Sequence, residues 1–179
     1  MVDILGAVYS FLVQYVPDIC DGNIVRGWQN RAALPNVTDY IVLTLLTTKR
    51  HGTNVHENQA DKTSDTDIEQ IIHMLGEHTV QVDFCGKDEQ TVMARATRLA
   101  ALARDGVAVE FLKQYGILPL YAEDVRQAPF TDEQRQWEVR YIVTWHLECW
   151  HNVVIPRPAF TDVNIAIEDV DVHHPITTE

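Results

Sequence analysis

TDYIVLTLLTT, residues 38 to 48, is the stretch whose reading decides the fold. It is dense in β-branched and aromatic side chains, which suit a pleated and half-buried surface, and it holds no proline or glycine. It reads as a strand. Its natural partner lies downstream, where Thr79 to Phe84 alternates, with Val80, Val82 and Phe84 on one face and Gln81 and Asp83 on the other. A long strand needs a long partner, so an extended return strand is expected over roughly 70 to 85. Its first half is ambiguous: Ile68, Ile71, Ile72 and Leu75 also fit helical spacing, and Thr66 with Glu69 fits a capping box. Between the two strands, Lys49 to Asp67 is nearly all polar, with only Val55 and Ala60 offering apolar surface. This is expected to be a polar loop or arm at about 50–67, too long for an idle turn.

Upstream, Ile4, Leu5, Val8, Phe11, Leu12 and Tyr15 recur at helical spacing behind Asp3. Pro17 ends that helix, because proline lacks the backbone donor and biases its predecessor away from helical angles. The N-terminus has no basic stretch or cleavage site, and reads as helix rather than signal peptide. Ile24 to Gly27 is a short extended piece. Downstream, Gly86 stops the return strand with a sharp turn and Asp88 caps a helix whose apolar stripe is Val92, Ala96, Leu99, Ala100 and Ala103. Arg95, Arg98 and Arg104 fall off that stripe, and Gly106 is expected to close the helix at about Asp105. Val109, Phe111, Leu112 and Tyr115 suggest a second short helix ending at Gly116.

Leu118 to Ala122 reads as a short strand and Arg126 to Phe130 as a loop. From Gln134 to Trp150 a long strand alternates Trp137, Val139, Tyr141, Val143, Trp145 and Leu147 with polar neighbours. Past Pro156 and Pro158, Val163, Ile165 and Ile167 alternate once more before an acidic segment at about 159–179. No linker divides the 179 residues, so a single domain over 1–179 is expected, of α+β class. A largely antiparallel β-sheet should carry the helices on one face.

The formal charge of −12 is the strongest compositional fact. A surface this acidic repels phosphate backbones and argues against a protein that grips nucleic acid. No apolar run reaches the roughly 18 residues that a bilayer span needs. Cys20, Cys85 and Cys149 are far apart and belong to no CxxC pair, which favours reduced thiols, and buried structural cysteine at Cys85 and Cys149. Motifs for phosphate cradling, dinucleotide binding and hydrolytic nucleophiles are absent. His51 and His56 have a spacing that matches no metal pattern. His173 and His174, behind Asp169 and Asp171, sit near a terminus where side chains are seldom rigid. The carboxylates Asp65, Asp67, Glu123 and Asp124 are not gathered into an acid–base pair. The reading is therefore no catalytic residues, no cofactor and no metal site.

Four segments carry a resemblance: Val25 to Arg31 (VRGWQNR), Gln81 to Gly86 (QVDFCG), Pro119 to Phe130 (PLYAEDVRQAPF) and Gln136 to Tyr141 (QWEVRY). Together and in this order they resemble the phage neck terminator family, also called tail terminator or tail-completion proteins. Val125 departs from the family pattern, where proline is expected. The resemblance implies a structural virion protein of the neck, assembled in the bacterial host cytoplasm, which forms a six-fold homo-oligomeric ring on the tail tube. Such a ring ends tail polymerisation, receives the head-side connector or neck protein, and in contractile tails meets the sheath protein. It encloses DNA without specific binding, and involves no membrane. Arg26, Asn30, Arg31 and Arg126 are the candidate subunit-interface residues, since arginine's planar fork serves interfaces and asparagine bonds exposed backbone. Two alternatives stand beside this reading: another neck component (a head-completion or stopper protein), and a small metal-binding or enzymatic module.

Overall fold

A computed structural model describes residues 2–16, 23–27, 39–60, 67–131 and 137–158. Helix α1 (Ile4–Tyr15) starts at Asp3, whose carboxylate accepts from the Gly6 amide at 2.9 Å and so satisfies one of the free donors of the first turn. Strand β1 (Ile24–Arg26) follows and pairs in parallel with β2 (Tyr40–Ala60), Ile24 opposite Ile41. Strand β3 (Asp67–Gly86) returns antiparallel to β2 and pairs on its other side with β7 (Trp137–Pro158), also antiparallel. Between β3 and β7 lie α2 (Glu89–Leu102), α3 (Gly106–Lys113) and β4 (Ile117–Ala122), with the two-residue strands β5 (Arg126–Gln127) and β6 (Phe130–Thr131) against β7. The sheet order is β1-β2-β3-β7-β4. This is the expected α+β architecture with a mostly antiparallel sheet.

The alternation of the strands decides which face the helices cover. Val80, Val82 and Phe84 of β3 and Val143, Trp145 and Leu147 of β7 are buried together with Ile41 and Leu43 of β2. Onto them pack Val8, Phe11 and Leu12 of α1, the small residues Ala96 and Ala100 of α2 with Leu99, and Leu112 of α3. Phe11 lies 5.2 Å from Trp145 and 5.3 Å from Phe111, ring centre to ring centre, so α1 and α3 meet over the indole. The arginines off the α2 stripe tie this helix to its surroundings. Arg95 pairs with Asp39 at 3.0 Å, Arg98 donates to the Tyr15 carbonyl at the end of α1, and Arg104 donates to the Ala122 carbonyl.

Three expectations change. Residues 49–60, expected as irregular polar chain, continue β2 as strand, whereas the return strand expected over roughly 70–85 is present and already starts at Asp67. The arm is a ribbon of backbone ladder bonds, which need no apolar side chains; residues 61–66 fall outside the described part. Gly106 does not close α2 but opens α3, where Asp105 caps by accepting from Val107 at 3.0 Å. The segment 126–130, expected as loop, holds β5 and the start of β6, because β7 has a free edge there to pair with. Gly86 has no positive φ. Its requirement is space: a Cβ there would stand 2.5 Å from Asp39 Oδ1 and 2.7 Å from Val92 Cγ2. The expected strand at 163–167 and the acidic segment at 159–179 lie outside the described residues.

Candidate assembly surface

Burial on β2 ends at Thr44 and on β7 at Cys149. Beyond them β2, β3 and β7 run on past the helical layer as a three-stranded arm, made of residues 45–60, 67–75 and 150–158. At about 3.3 Å per residue the β2 portion reaches on the order of 50 Å. Two irregularities shape it. Leu46 is an extra residue between the pairs Leu45–Val80 and Thr47–Thr79, and a wider shift separates His51 from Val55. Gly52 sits in that second shift with φ of 73°, a left-handed conformation that glycine adopts without steric penalty. Bulges bend and twist a ribbon, and so set where the arm points.

The arm exposes several large apolar side chains. Leu46, Val55, Trp150, Val153 and Val154 are each between 44% and 54% exposed. Among the described residues, β1 pairs with β2 only at 41–43 and β4 reaches β7 only as far as Cys149. No described strand therefore pairs with the outer edges of β2 and β7 along the arm, which present ladders of donors and acceptors. Pro156 and Pro158 interrupt the β7 edge, which is one way that strand edges are guarded against indiscriminate pairing.

The face of the sheet away from the helices is polar and closely connected. Glu77 receives His51 Nε2 at 2.7 Å and His146 Nδ1 at 2.9 Å. These two hydrogen bonds, His146 first, hold the Glu77 carboxyl below its ordinary range. Tyr121 stacks on the His146 ring at 4.1 Å. Further along the same face Asp83 is buried, bonded by Gln81 at 2.8 Å and 3.8 Å from Arg140, and burial raises its carboxyl above the usual value. On the helix-side face, His78 Nε2 lies 2.7 Å from His151 Nε2, and Cys149 Sγ 3.5 Å from the same nitrogen. Burial, then the neighbouring His151, lowers the His78 basicity. Cys85 is buried as expected, and burial pushes its thiol up to about 12.

A model of the phage neck terminator protein family matches residues 3–178. The chain belongs to that family. Comparison with curated proteins returns no match. Membership makes the chain a structural protein of the phage neck and virion, and a partner of other tail and neck proteins. None of its described helices is long and apolar enough to cross a membrane.

Of the candidate interface residues, the two in the described part, Arg26 and Arg126, are not brought together. Arg26 ends β1 and pairs with Asp3 at 2.9 Å, while Arg126 in β5 reaches Glu123 at 3.5 Å and Thr144 Oγ1 at 3.3 Å. With β2, β3 and β7 between them, the two arginines occupy opposite margins of the sheet. Both remain about half exposed or more, at 47% and 61%. Asn30 and Arg31 lie outside the described residues, as do Cys20, His173 and His174. The residues that sequence reading passed over are Glu77, His78, His146, Cys149 and His151. Only the Cys-x-His spacing of 149 and 151, same-face positions on a strand, hinted at any of them.

Proposed function

We propose that the chain caps the tail tube as a ring, typically six-fold, which ends tail polymerisation and joins the tail to the head-side connector. The observation that carries this reading is the three-stranded arm, which extends beyond the helix-covered core with outer edges that no described strand covers and with exposed Trp150, Val153 and Val154. An arm of that reach serves as a brace that pairs with the sheet of a neighbouring copy. A ring closes through heterologous contacts, in which two different surfaces of the same chain meet. Arg26 and Arg126, on opposite margins of the sheet, suit those two surfaces, with Asn30 and Arg31 beside the first in sequence. The −12 charge per copy suits a conduit that passes DNA without holding it. Assembly takes place in the host cytoplasm, and in a contractile tail the rim meets the sheath.

Negative-stain images of the purified protein, alone and mixed with tail tubes, test the proposal. Rings, and tubes blunted at one end by a ring, are the expected result. A strictly monomeric protein bound to tube ends would overturn it. Arg126→Glu should lower the fraction of rings by tenfold or more while leaving the monomer's melting temperature nearly unchanged, because Arg126 is exposed and its ion pair with Glu123 is a weak surface contact.

A further inference from the structure

At the root of the arm three metal-binding side chains meet across two strands. His78 is on β3, opposite Leu147; Cys149 is on β7, opposite Gly76; and His151 is opposite Met74. Positions 74, 76 and 78 share one face of β3, and 147, 149 and 151 share the same face of β7. Their ligand atoms, His78 Nε2, Cys149 Sγ and His151 Nε2, all lie within 4.8 Å of one another. From this we infer that His78, Cys149 and His151 form a binding site for a thiophilic divalent metal ion of the zinc class. The inference is independent of the ring proposal.

The cluster is compact enough for such an ion to bridge after small side-chain movements. With Zn–S near 2.3 Å and Zn–N near 2.05 Å, a tetrahedral site sets sulfur and nitrogen about 3.5 Å apart and two nitrogens about 3.3 Å apart. Cys149 Sγ and His151 Nε2 are already at 3.5 Å, while the two imidazole nitrogens, at 2.7 Å, have to part by roughly 0.6 Å to admit the metal between them. The supporting contacts agree. Thr48 Oγ1 lies 3.0 Å from His78 Nδ1, where the hydroxyl can accept a hydrogen bond from Nδ1–H and so favour the tautomer whose Nε2 lone pair is free for a metal. The extra residue Leu46 in β2 brings Thr48, rather than Thr47, opposite His78 and onto this face.

Gly76 is the second supporting feature. Glycine within a strand costs stability and marks a place where something approaches closely. A Cβ at Gly76 would lie 3.2 Å from His78 Nε2 and 3.4 Å from His151 Cδ2, so the missing side chain is what lets the rings converge. Three protein ligands leave one coordination position. His78 and His151 also line a cavity of about 440 Å³ under the start of α1, walled by Val2, Leu5, Leu45 and Met74, with room for water as the fourth ligand. Binding forms the metal–sulfur bond and releases the Cys149 thiol proton to solvent. Since burial ends at Gly76 on β3 and at Cys149 opposite it on β7, the metal would clamp the two strands where the arm leaves the core.

The test uses the untagged full-length protein, stripped with a chelator and then dialysed against Zn²⁺ or Co²⁺. Wild type should take up one metal ion per chain, and its Co²⁺ form should show a thiolate-to-cobalt charge-transfer band. Cys149→Ser should abolish that band, and both Cys149→Ser and His151→Ala should weaken Zn²⁺ binding by at least the roughly 10–100-fold that even supporting residues cost. His51→Ala, on the opposite face, should bind as wild type does. Circular dichroism confirms that each variant is folded. Uptake well below one ion per chain in wild type would overturn the inference. So would a folded Cys149→Ser or His151→Ala protein that retains wild-type affinity, leaving a hydrogen-bonded histidine pair and nothing more.

Discussion

Asp3 holds two parts of the molecule with one carboxylate. It caps α1 through the Gly6 amide and pairs with Arg26 at the end of β1, and these two contacts, the amide first, hold its carboxyl below the ordinary value. Asp3→Ala should cost about 1 kcal/mol in denaturant melts, within the range of lost N-caps. The sign of the pH effect follows from the lowered carboxyl. The stabilisation is fully present above the unfolded value near 3.8, and is lost as pH falls through the lower folded value. An acid titration of wild type against Asp3→Ala should therefore show the two stabilities converging only at the acid end. Trp145 works at the same scale by volume: it is fully buried against Phe11. Trp145→Ala should cost on the order of 3–5 kcal/mol. Trp145→Phe should cost much less, since the indole N–H finds no hydrogen-bond partner among the described residues. A loss below about 1 kcal/mol for Trp145→Ala would mean that the register of β7 is misassigned.

The element whose behaviour matters most is the β2–β3 hairpin. Its inner half carries Ile41, Leu43, Val80, Val82 and Phe84 into the core, whereas its outer half buries little. Free energy from apolar burial is therefore concentrated inside, and the outer ladder is held by backbone bonds of small net worth. Joining Arg50 to Leu75 through a short turn removes the outer hairpin. The shortened chain should keep its helix-covered core, with a melting temperature within a few degrees of wild type, while ring formation or tail attachment fails. If that variant assembles normally and supports infectious particles, the arm is a passive extension.

Across the whole molecule the question is charge. If copies close into a ring, each brings a formal −12, and some of that surplus should line the channel. Carboxylates offer no cations to replace the counterions of a passing duplex, so DNA gains nothing by staying. The assembled ring is expected to leave duplex DNA unshifted in a gel at physiological salt. Tight, salt-sensitive binding would remove the idea of a repulsive conduit. A basic lumen in a ring structure would remove it even without binding, leaving the acidity as an aid to solubility.

Much of this fold was legible locally. Spacing at 3.6 residues marked α1 and the α2 stripe, and alternation at two placed Trp145, Phe84 and Val82 on the buried face, because those periods are set by backbone geometry within a few residues. Polarity misled at residues 49–60, where strand pairing depends on a neighbouring ladder rather than on the segment's own side chains. Of the candidate interface residues, Arg26 and Arg126 were sensible from chemistry, but only the sheet order showed that they stand on opposite margins. The cluster of His78, Cys149 and His151 was at most hinted at by the Cys-x-His spacing, since 73 positions separate the two histidines in the chain. It exists because the β3–β7 register sets Gly76 opposite Cys149, and a register is a property of two strands together that neither one encodes alone.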